Sequence, residues 1–215
     1  MWQSHAAALL LVAGAVTTPQ PVGAAEHPPY LPTRDVSVTY RIQADGMPGG
    51  EGPHNVKLSY LAATGRARIE QSDGPGYLIV DRAAGHAVMV MEPMQIYIDM
   101  PFDARTGSAL LLNDRMRFTR AGSDRVAALP CTLWDVASDK TKARLCITDD
   151  GVILSGEGSD PIRGTGRMTA TSVSYAALPA ALFNPPAGFH RMDMPAGIGA
   201  LGDTRLNPGT QKSKP

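Results

Sequence analysis

The chain has 215 residues, and its 20 lysine and arginine residues balance its 20 aspartate and glutamate residues, so the formal net charge is zero. This balance excludes a chain-wide basic surface of the kind that binds nucleic acid, and no nucleic-acid partner is predicted. Hydrophobic residues make up 43% of the sequence, which is sufficient for one domain with its own core.

Residues 1–25 have the pattern of a signal peptide. The apolar run Ala6–Val16 has the length of a signal h-region and is well short of the ~20 residues of a membrane span. Small residues follow the run, and we predict cleavage after Ala24 or Ala25. The opening MWQSH has no Lys or Arg, which departs from the usual pattern and leaves two alternatives, a buried N-terminal helix or a start codon assigned too early or too late. The pattern predicts a soluble periplasmic protein with no transmembrane anchor.

Alternating apolar and polar residues dominate from Asp35 onward, which predicts a series of short β-strands. Turn sequences such as Gly74-Pro75-Gly76 and Asp150-Gly151 separate them. The spacing favours a mainly β fold built from one strongly curved antiparallel sheet of about ten strands. No alternation of strands with helices appears, so a parallel sheet is not expected.

Only two segments have a helical pattern, Asp103–Asn113 and Leu178–Phe183. We predict that one or two short helices lie on the concave side of the sheet. The β domain is predicted to cover residues 35–194. A Pro-rich segment at 26–34 is predicted to be flexible, and a Gly/Pro-rich tail at 195–215 is predicted to be disordered.

The stretch Cys131–Leu154 contains both cysteines of the chain. They are symmetric about Ser138-Asp139, so a tight turn there would place them on neighbouring strands of a hairpin. A disulfide agrees with export to an oxidising compartment, and two separate buried thiols are the alternative. The predicted register pairs Cys131 with Cys146, Leu133 with Arg144, and Asp135 with Lys142.

No segment carries a catalytic motif. The sequence has no Gly-rich phosphate loop, no Gly-x-Ser-x-Gly elbow and no His-Glu-x-x-His. Its five histidines are scattered, and nothing pairs a nucleophile with a base. The sequence therefore predicts a non-enzymatic protein without a cofactor.

Methionine is the unusual component, with ten residues. Met89 and Met91 fall on one face of a predicted strand and would line an apolar surface, where methionine adapts to irregular apolar ligands. The alternative is copper handling, because thioethers bind Cu(I). The candidate ligands for a metal are Met89, Met91, Met94, His190, Met192 and Met194.

Several phrases together resemble known exported proteins. They are Tyr77–Arg82 (YLIVDR), Ala87–Met91, Gln95–Ile98, Gly122–Val126 and Cys131–Val136 (CTLWDV). Their order resembles a proteobacterial family of unknown function, the DUF4412 type, and the wider lipoprotein-carrier-like group of LolA and LolB.

The resemblance implies an open half-barrel whose apolar concave face binds a lipid or acyl chain. A structural envelope protein that binds a protein partner through an exposed sheet edge is a further alternative. The candidate lining residues are Val36, Val38, Tyr40, Ile42, Leu58, Tyr60, Met89, Met91, Ile96 and Ile98.

Overall fold

A computed structural model describes residues 27–44, 52–102, 112–138, 142–160 and 164–193. The predicted signal peptide and C-terminal tail lie outside these ranges. Within them the chain forms one open sheet of twelve strands. The strands are β1 (Val36–Ala44), β2 (His54–Leu61), β3 (Arg66–Gln71), β4 (Gly76–Asp81), β5 (His86–Met91), β6 (Ile96–Pro101), β7 (Arg117–Val126), β8 (Leu129–Ala137), β9 (Lys142–Ile147), β10 (Ile153–Asp160), β11 (Gly164–Ser174) and β12 (His190–Met192).

The prediction of a mainly β fold with one open sheet is confirmed, but the number of strands was wrong, since twelve are present rather than about ten. The three residues of β12 are too few to produce a periodic signal. They also pair in parallel with β6, so the sheet is not wholly antiparallel. The other neighbouring strands pair antiparallel.

The predicted α-helices are not found among the described residues, which contain only the 3-10 helices Glu92–Met94 and Ala180–Phe183. The second falls inside the predicted helix Leu178–Phe183. It is short because Pro179 precedes it in an extended conformation and the Asn184-Pro185-Pro186 sequence follows. The other predicted helix, Asp103–Asn113, lies outside the described residues except for its last two positions. No described helix has the length and apolar character needed to cross a bilayer.

The sheet consists of two meanders joined by the first strand. Its order is β12-β6-β5-β4-β3-β2-β1-β11-β10-β9-β8-β7, so β2–β6 and β7–β11 each follow the chain, and β1 pairs with both. Cα atoms of β7 and β11 approach within 8 Å although three strands lie between them. The sheet therefore curls strongly at the β7 end.

Cross-strand pairing defines two faces, because directly paired residues point to the same side of a sheet. Face A is the side that carries Val38 and its partner Leu58. Following the pairs across β11, β10 and β9, the same face carries Met168, Leu145 and Trp134. Face B is the opposite side, and it carries Leu133 and Cys146.

Both faces contribute to the hydrophobic core. On face A, Val36 and Val38 are buried at β1, and Trp134 packs with Leu145 and Leu112 at the β8–β9 end. On face B, a separate cluster lies over β4 and β5. Its buried members are Leu61, Tyr77, Ile79, Val88, Val90 and Phe183.

Residues 27–34, which were predicted to be flexible, lie against the sheet. The amide of Thr33 donates to the carbonyl of Asp150 at 3.0 Å, and Arg34 Nε donates to Asp150 Oδ2 at 2.7 Å. The Arg34 guanidinium also lies 3.6 Å from the centre of the Tyr175 ring. One carboxylate and one aromatic ring thus hold the end of this segment.

Residues 176–189 cross face B from β11 towards β12. The amide of Leu178 donates to Asp35 Oδ2 at 3.1 Å, and Arg68 Nη1 donates to the carbonyl of Leu182 at 3.2 Å. Phe183 fills the face-B cluster with only 2% of its surface exposed. This covering segment, residues 176–189, therefore closes face B over β3–β5.

The predicted disulfide is present, but the predicted register of its hairpin was wrong. Cys131 and Cys146 are bonded, with their Cα atoms 5.4 Å apart. Cys146 is paired with Leu133, not with Cys131, so the disulfide runs diagonally between the strands. Asp135 pairs with Arg144 instead of Lys142. Each residue of β8 therefore pairs two positions further along β9 than predicted.

Candidate functional site

The predicted lining residues share face A. One row of cross-strand partners crosses seven strands and contains no charged side chain. Seven strands are separated by six strand spacings, so the row is roughly 29 Å long. We call it the apolar row, and its members are Val38, Leu58, Ile69, Leu78, Met89, Ile98 and Met192. Beside it lies a second uncharged row of Val36, Tyr60, Ala67, Val80, Ala87 and Met100.

Burial divides the predicted lining residues into two groups. The first group, at β1 and Tyr60, is buried, and we call it the closed group. Val36 and Val38 are each 1% exposed, and Tyr40 and Tyr60 are each 5% exposed. These side chains are core. The second group is half-buried, and it comprises Ile42, Leu58, Met89, Met91, Ile96 and Ile98.

The two tyrosines of the closed group have no accessible acid–base chemistry. Burial is the main cause that raises the pKa of Tyr40 above its ordinary value, and the charge of Tyr175 adds to it. The Tyr40 hydroxyl donates to the carbonyl of Ile153 at 2.7 Å. Burial also raises the pKa of Tyr60. Both hydroxyls stay protonated at neutral pH and serve packing.

The candidate metal ligands come together only in part. His190 pairs with Ile96, and Met192 pairs with Ile98, so β12 places both on face A beside the row positions of Met91 and Met89. Met94 is 55% exposed on a 3-10 helix, and Met194 lies outside the described residues. Within the described ranges no group of three or more His, Cys, Asp and Glu side chains is placed to hold a metal ion.

Face B carries a groove at the β7–β11 end that is lined by charged, hydroxyl-bearing and small apolar residues, with a volume of about 760 Å³. A row of alternating charge crosses it, in which Arg144 donates to Asp135 at 2.8 and 3.1 Å and Arg167 donates to Glu157 at 3.2 Å. We call it the charge-balanced row, and it consists of Thr119, Asp135, Arg144, Glu157, Arg167 and Gln43.

The charges of this row perturb one another. The hydrogen bond from Arg144 is the main cause that lowers the pKa of Asp135. The same bond raises the pKa of Arg144, and the charge of Glu157 raises it further. Asp135 and Arg144 are therefore both ionised at neutral pH, and their charges cancel.

The neighbouring row in the groove is not balanced. Arg117 pairs with Ala137, and Ala137 pairs with Lys142. Lys142 then pairs with Ser159, and Ser159 with Thr165. We call these five residues the cationic row, because it holds two positive charges and no negative one.

Sequence reasoning missed this groove. Each charged residue in it alternates with apolar or small residues in its own strand, which is the ordinary pattern of a solvated strand face. Only the register of β7, β8 and β9 places Arg117 and Lys142 on either side of Ala137. The sequence does show charged residues two positions apart, such as Lys142 and Arg144, which predicts that they share a face. Without the register, their neighbours on the adjacent strands could not be predicted.

Comparison with known proteins shows a likeness of fold and no more. No family model and no curated protein sequence matches the chain. An uncharacterised conserved protein from Thermus thermophilus superposes with a TM-score of 0.53 at 12% identity, over 75% of this chain and 91% of that one. At this identity the likeness shows the fold alone.

Two further structures overlap less well. A chain of the Pseudomonas aeruginosa MucA/MucB complex has a TM-score of 0.47 at 15% identity, over 71% of this chain and 56% of that one. A LolA superfamily protein from Nitrosomonas europaea has a TM-score of 0.39 at 6% identity, over 72% of this chain and 91% of that one. One LolA superfamily protein is therefore among the structures that this chain resembles, whereas no family model supports the DUF4412 resemblance.

Proposed function

We propose that this protein is a non-enzymatic periplasmic protein that binds or carries an apolar ligand, such as a lipid or acyl chain, on face A. The observation that carries the proposal is the apolar row, which is uncharged across seven strands and half-buried at Leu58, Met89 and Ile98. An extended apolar surface of this kind is typical of a ligand-binding or interaction site.

The contrast between the two faces of β3–β5 supports this proposal. Face B of these strands is closed by the covering segment, and Val90 there is fully buried. Face A of the same strands keeps Leu78 and Met89 half-buried. These strands therefore have a covered apolar face on one side and a partly exposed apolar face on the other, and the partly exposed face can bind a ligand.

The disulfide supports the periplasmic location, because disulfides persist in oxidising compartments. The predicted signal peptide agrees with it. N-terminal sequencing of the envelope fraction is the test, and the expected mature protein begins at Ala25 or Glu26.

Native mass spectrometry of gently purified protein tests the ligand directly, with a co-purifying lipid as the expected result. A fluorescent fatty-acid probe then tests the site. Met89→Asp places a charge in the centre of the apolar row and is expected to weaken probe binding at least ~10-fold, or about 1.4 kcal/mol. The matched control is Met94→Asp, because Met94 is exposed outside the row.

Probe binding that is unchanged in a folded Met89→Asp variant would refute the site. If Met89→Asp does not fold, Met91→Asp provides a second charge on the same face, since Met91 is also half-buried. Equal loss of binding in the Met94→Asp control would also count against face A.

Copper handling is the second candidate, and it is favoured by the extension of face A onto β12. This strand brings His190 and Met192 to the same face as Met91 and Met89. Titration with Cu(I) in the absence of oxygen is the test. A stoichiometric complex that is lost in Met89→Leu would support it, because leucine preserves the apolar row and removes the thioether.

A protein partner is the third candidate, and the β7 edge of the sheet favours it. β7 is the terminal strand and pairs only with β8, and none of its ten residues is buried. An unpaired edge can accept a strand from another chain. Cross-linking from a photoreactive residue at Thr119 in the intact envelope would detect such a partner.

A further inference from the structure

We infer that the groove on face B is a second binding site, which takes a phosphate-bearing polar group at the cationic row. The residues that line this groove include no member of the apolar row, so the site is independent of the function proposed for face A. Its volume of about 760 Å³ falls within the range of small-molecule sites.

The two rows of the groove differ in how their charges are compensated. In the charge-balanced row, Asp135 and Glu157 compensate Arg144 and Arg167 through direct ion pairs. Arg117 and Lys142 have no acidic partner within the described residues. The net charge of the groove is therefore confined to these two side chains of the cationic row.

The two uncompensated cations flank a small residue. Arg117 and Lys142 lie on β7 and β9, one on each side of Ala137 on β8. Two strand spacings separate them, roughly 10 Å between their backbones. The small side chain of Ala137 leaves space between the two long cationic side chains. An anion above Ala137 would contact a guanidinium and an ammonium at once.

The rest of the cationic row supplies hydroxyl groups. Ser159 and Thr165 continue the row and add hydroxyl groups that can donate to further oxygens of the same ligand. Guanidinium groups bind phosphate oxygens in a forked geometry, and ammonium groups bind them as point charges. A phosphate group matches a pair of cations flanked by hydroxyls.

The phosphate can belong to a soluble molecule or to a lipid headgroup, and two measurements distinguish these sources. The first is NMR titration with inorganic phosphate against a chloride control of equal ionic strength, following the amides of Ala137, Lys142 and Ser159. The second is flotation with phosphatidylglycerol vesicles, with phosphatidylcholine vesicles as the neutral control.

The test variant is the double substitution Arg117→Gln/Lys142→Gln. Its matched control is Arg41→Gln/Lys57→Gln, which removes the same two charges from exposed positions of β1 and β2 outside the groove. We expect the groove variant to weaken binding at least ~10-fold and the control variant to change it less than ~2-fold. All substituted side chains are exposed, so both variants should fold.

Shifts with inorganic phosphate in the wild type would indicate a soluble ligand, and flotation with phosphatidylglycerol alone would indicate a headgroup. Either result supports the site when it is lost in the groove variant. The inference is overturned if the wild type binds neither probe, or if both variants lose binding equally. Uptake of the fatty-acid probe by the groove variant should be unchanged, which separates this site from face A.

Discussion

Gly76 lies at the start of β4, where its Cα faces the backbone of β5. A Cβ atom at this position would lie 1.9 Å from the carbonyl oxygen of Val90 and 2.9 Å from its carbon. Backbone atoms of a central strand cannot move aside without separating the two strands. Glycine at position 76 is thus a condition for the β4–β5 pairing, and hence for the position of Met89 and Leu78 in the apolar row.

We predict that Gly76→Ala lowers the free energy of unfolding by about 1–3 kcal/mol, as overpacking typically does. The matched control is Gly166→Ala in β11, where an added Cβ would have its nearest contact at 3.8 Å, to the carbonyl oxygen of Gln43. The control should change stability by less than about 0.5 kcal/mol. Urea denaturation of both variants measures the difference, and equal effects would contradict the steric explanation.

Asp150 connects residues 27–34 to the sheet. Burial acts to raise the pKa of its carboxyl, but hydrogen bonds from Thr148 and Arg34 outweigh burial and lower the pKa below its ordinary value. Tyr175 donates a further hydrogen bond to the same carboxylate at 3.4 Å. The charged form of Asp150 is therefore favoured by folding.

The sign of the pH effect follows from this shift. A carboxyl with a lowered folded-state pKa stabilises the protein above its unfolded pKa, about 3.9 for Asp, and this contribution is lost as pH falls through the folded-state pKa. We predict that Asp150→Asn destabilises the protein near neutral pH and makes stability less sensitive to pH below about 4. Asp135→Asn should have a smaller effect, because its ion pair is exposed. Denaturation curves at pH 7 and pH 3 would show both.

Among the elements, the β8–β9 hairpin is held by the diagonal disulfide. Its cysteines are 15 residues apart, and Cys146 is fully buried. On the other face of the hairpin, Trp134 packs with Leu145. The hairpin is thus fixed on both of its sides, by the disulfide, which packs in the same cluster as Val36 and Val38, and by the packing of Trp134 on the other side.

We predict that the double substitution Cys131→Ala/Cys146→Ala lowers the free energy of unfolding by about 3 kcal/mol, the value for a loop of this length in the chain-entropy model. Adding a reductant to the wild type should reproduce the loss. The measurement is denaturant unfolding with and without reductant. A loss below ~1 kcal/mol would show that packing of Trp134 alone maintains the hairpin.

The covering segment depends on one aromatic side chain. Phe183 is 2% exposed in the face-B cluster, while its neighbour Leu182 is 37% exposed. We predict that Phe183→Ala costs about 3–5 kcal/mol and that Leu182→Ala costs less than about 0.5 kcal/mol. Hydrogen exchange should also show faster opening of residues 176–189 in Phe183→Ala alone. Equal costs for the two variants would rule out this anchoring role.

At the scale of the whole molecule, the residues that share face A could be predicted, but their burial could not. Alternation within a strand specifies which side chains point to the same side, and Met89 and Met91 lie together as expected. The burial of Val38 depends on packing among segments that are distant in the sequence, and local periodicity does not predict such packing.

The error in the predicted hairpin register had different consequences for the disulfide and for the cationic row. The hairpin register was wrong by two positions, and a shift of two leaves every side chain on its predicted face. The predicted disulfide is therefore confirmed, although it joins diagonal rather than directly paired positions. The cationic row depends on the pairing of Arg117, Ala137 and Lys142 itself, so only the observed register identifies it.

The position of β1 has a consequence for how the chain folds. The meanders β2–β6 and β7–β11 are each built from neighbours in sequence, so each can form through short loops. β1 joins them by pairing Ser37 with Ser174, across more than 130 residues of chain. Closing so long a loop is entropically costly until both partners are structured. We therefore expect the two half-sheets to form early and independently, and the pairing of β1 with β11 to form last and complete the sheet.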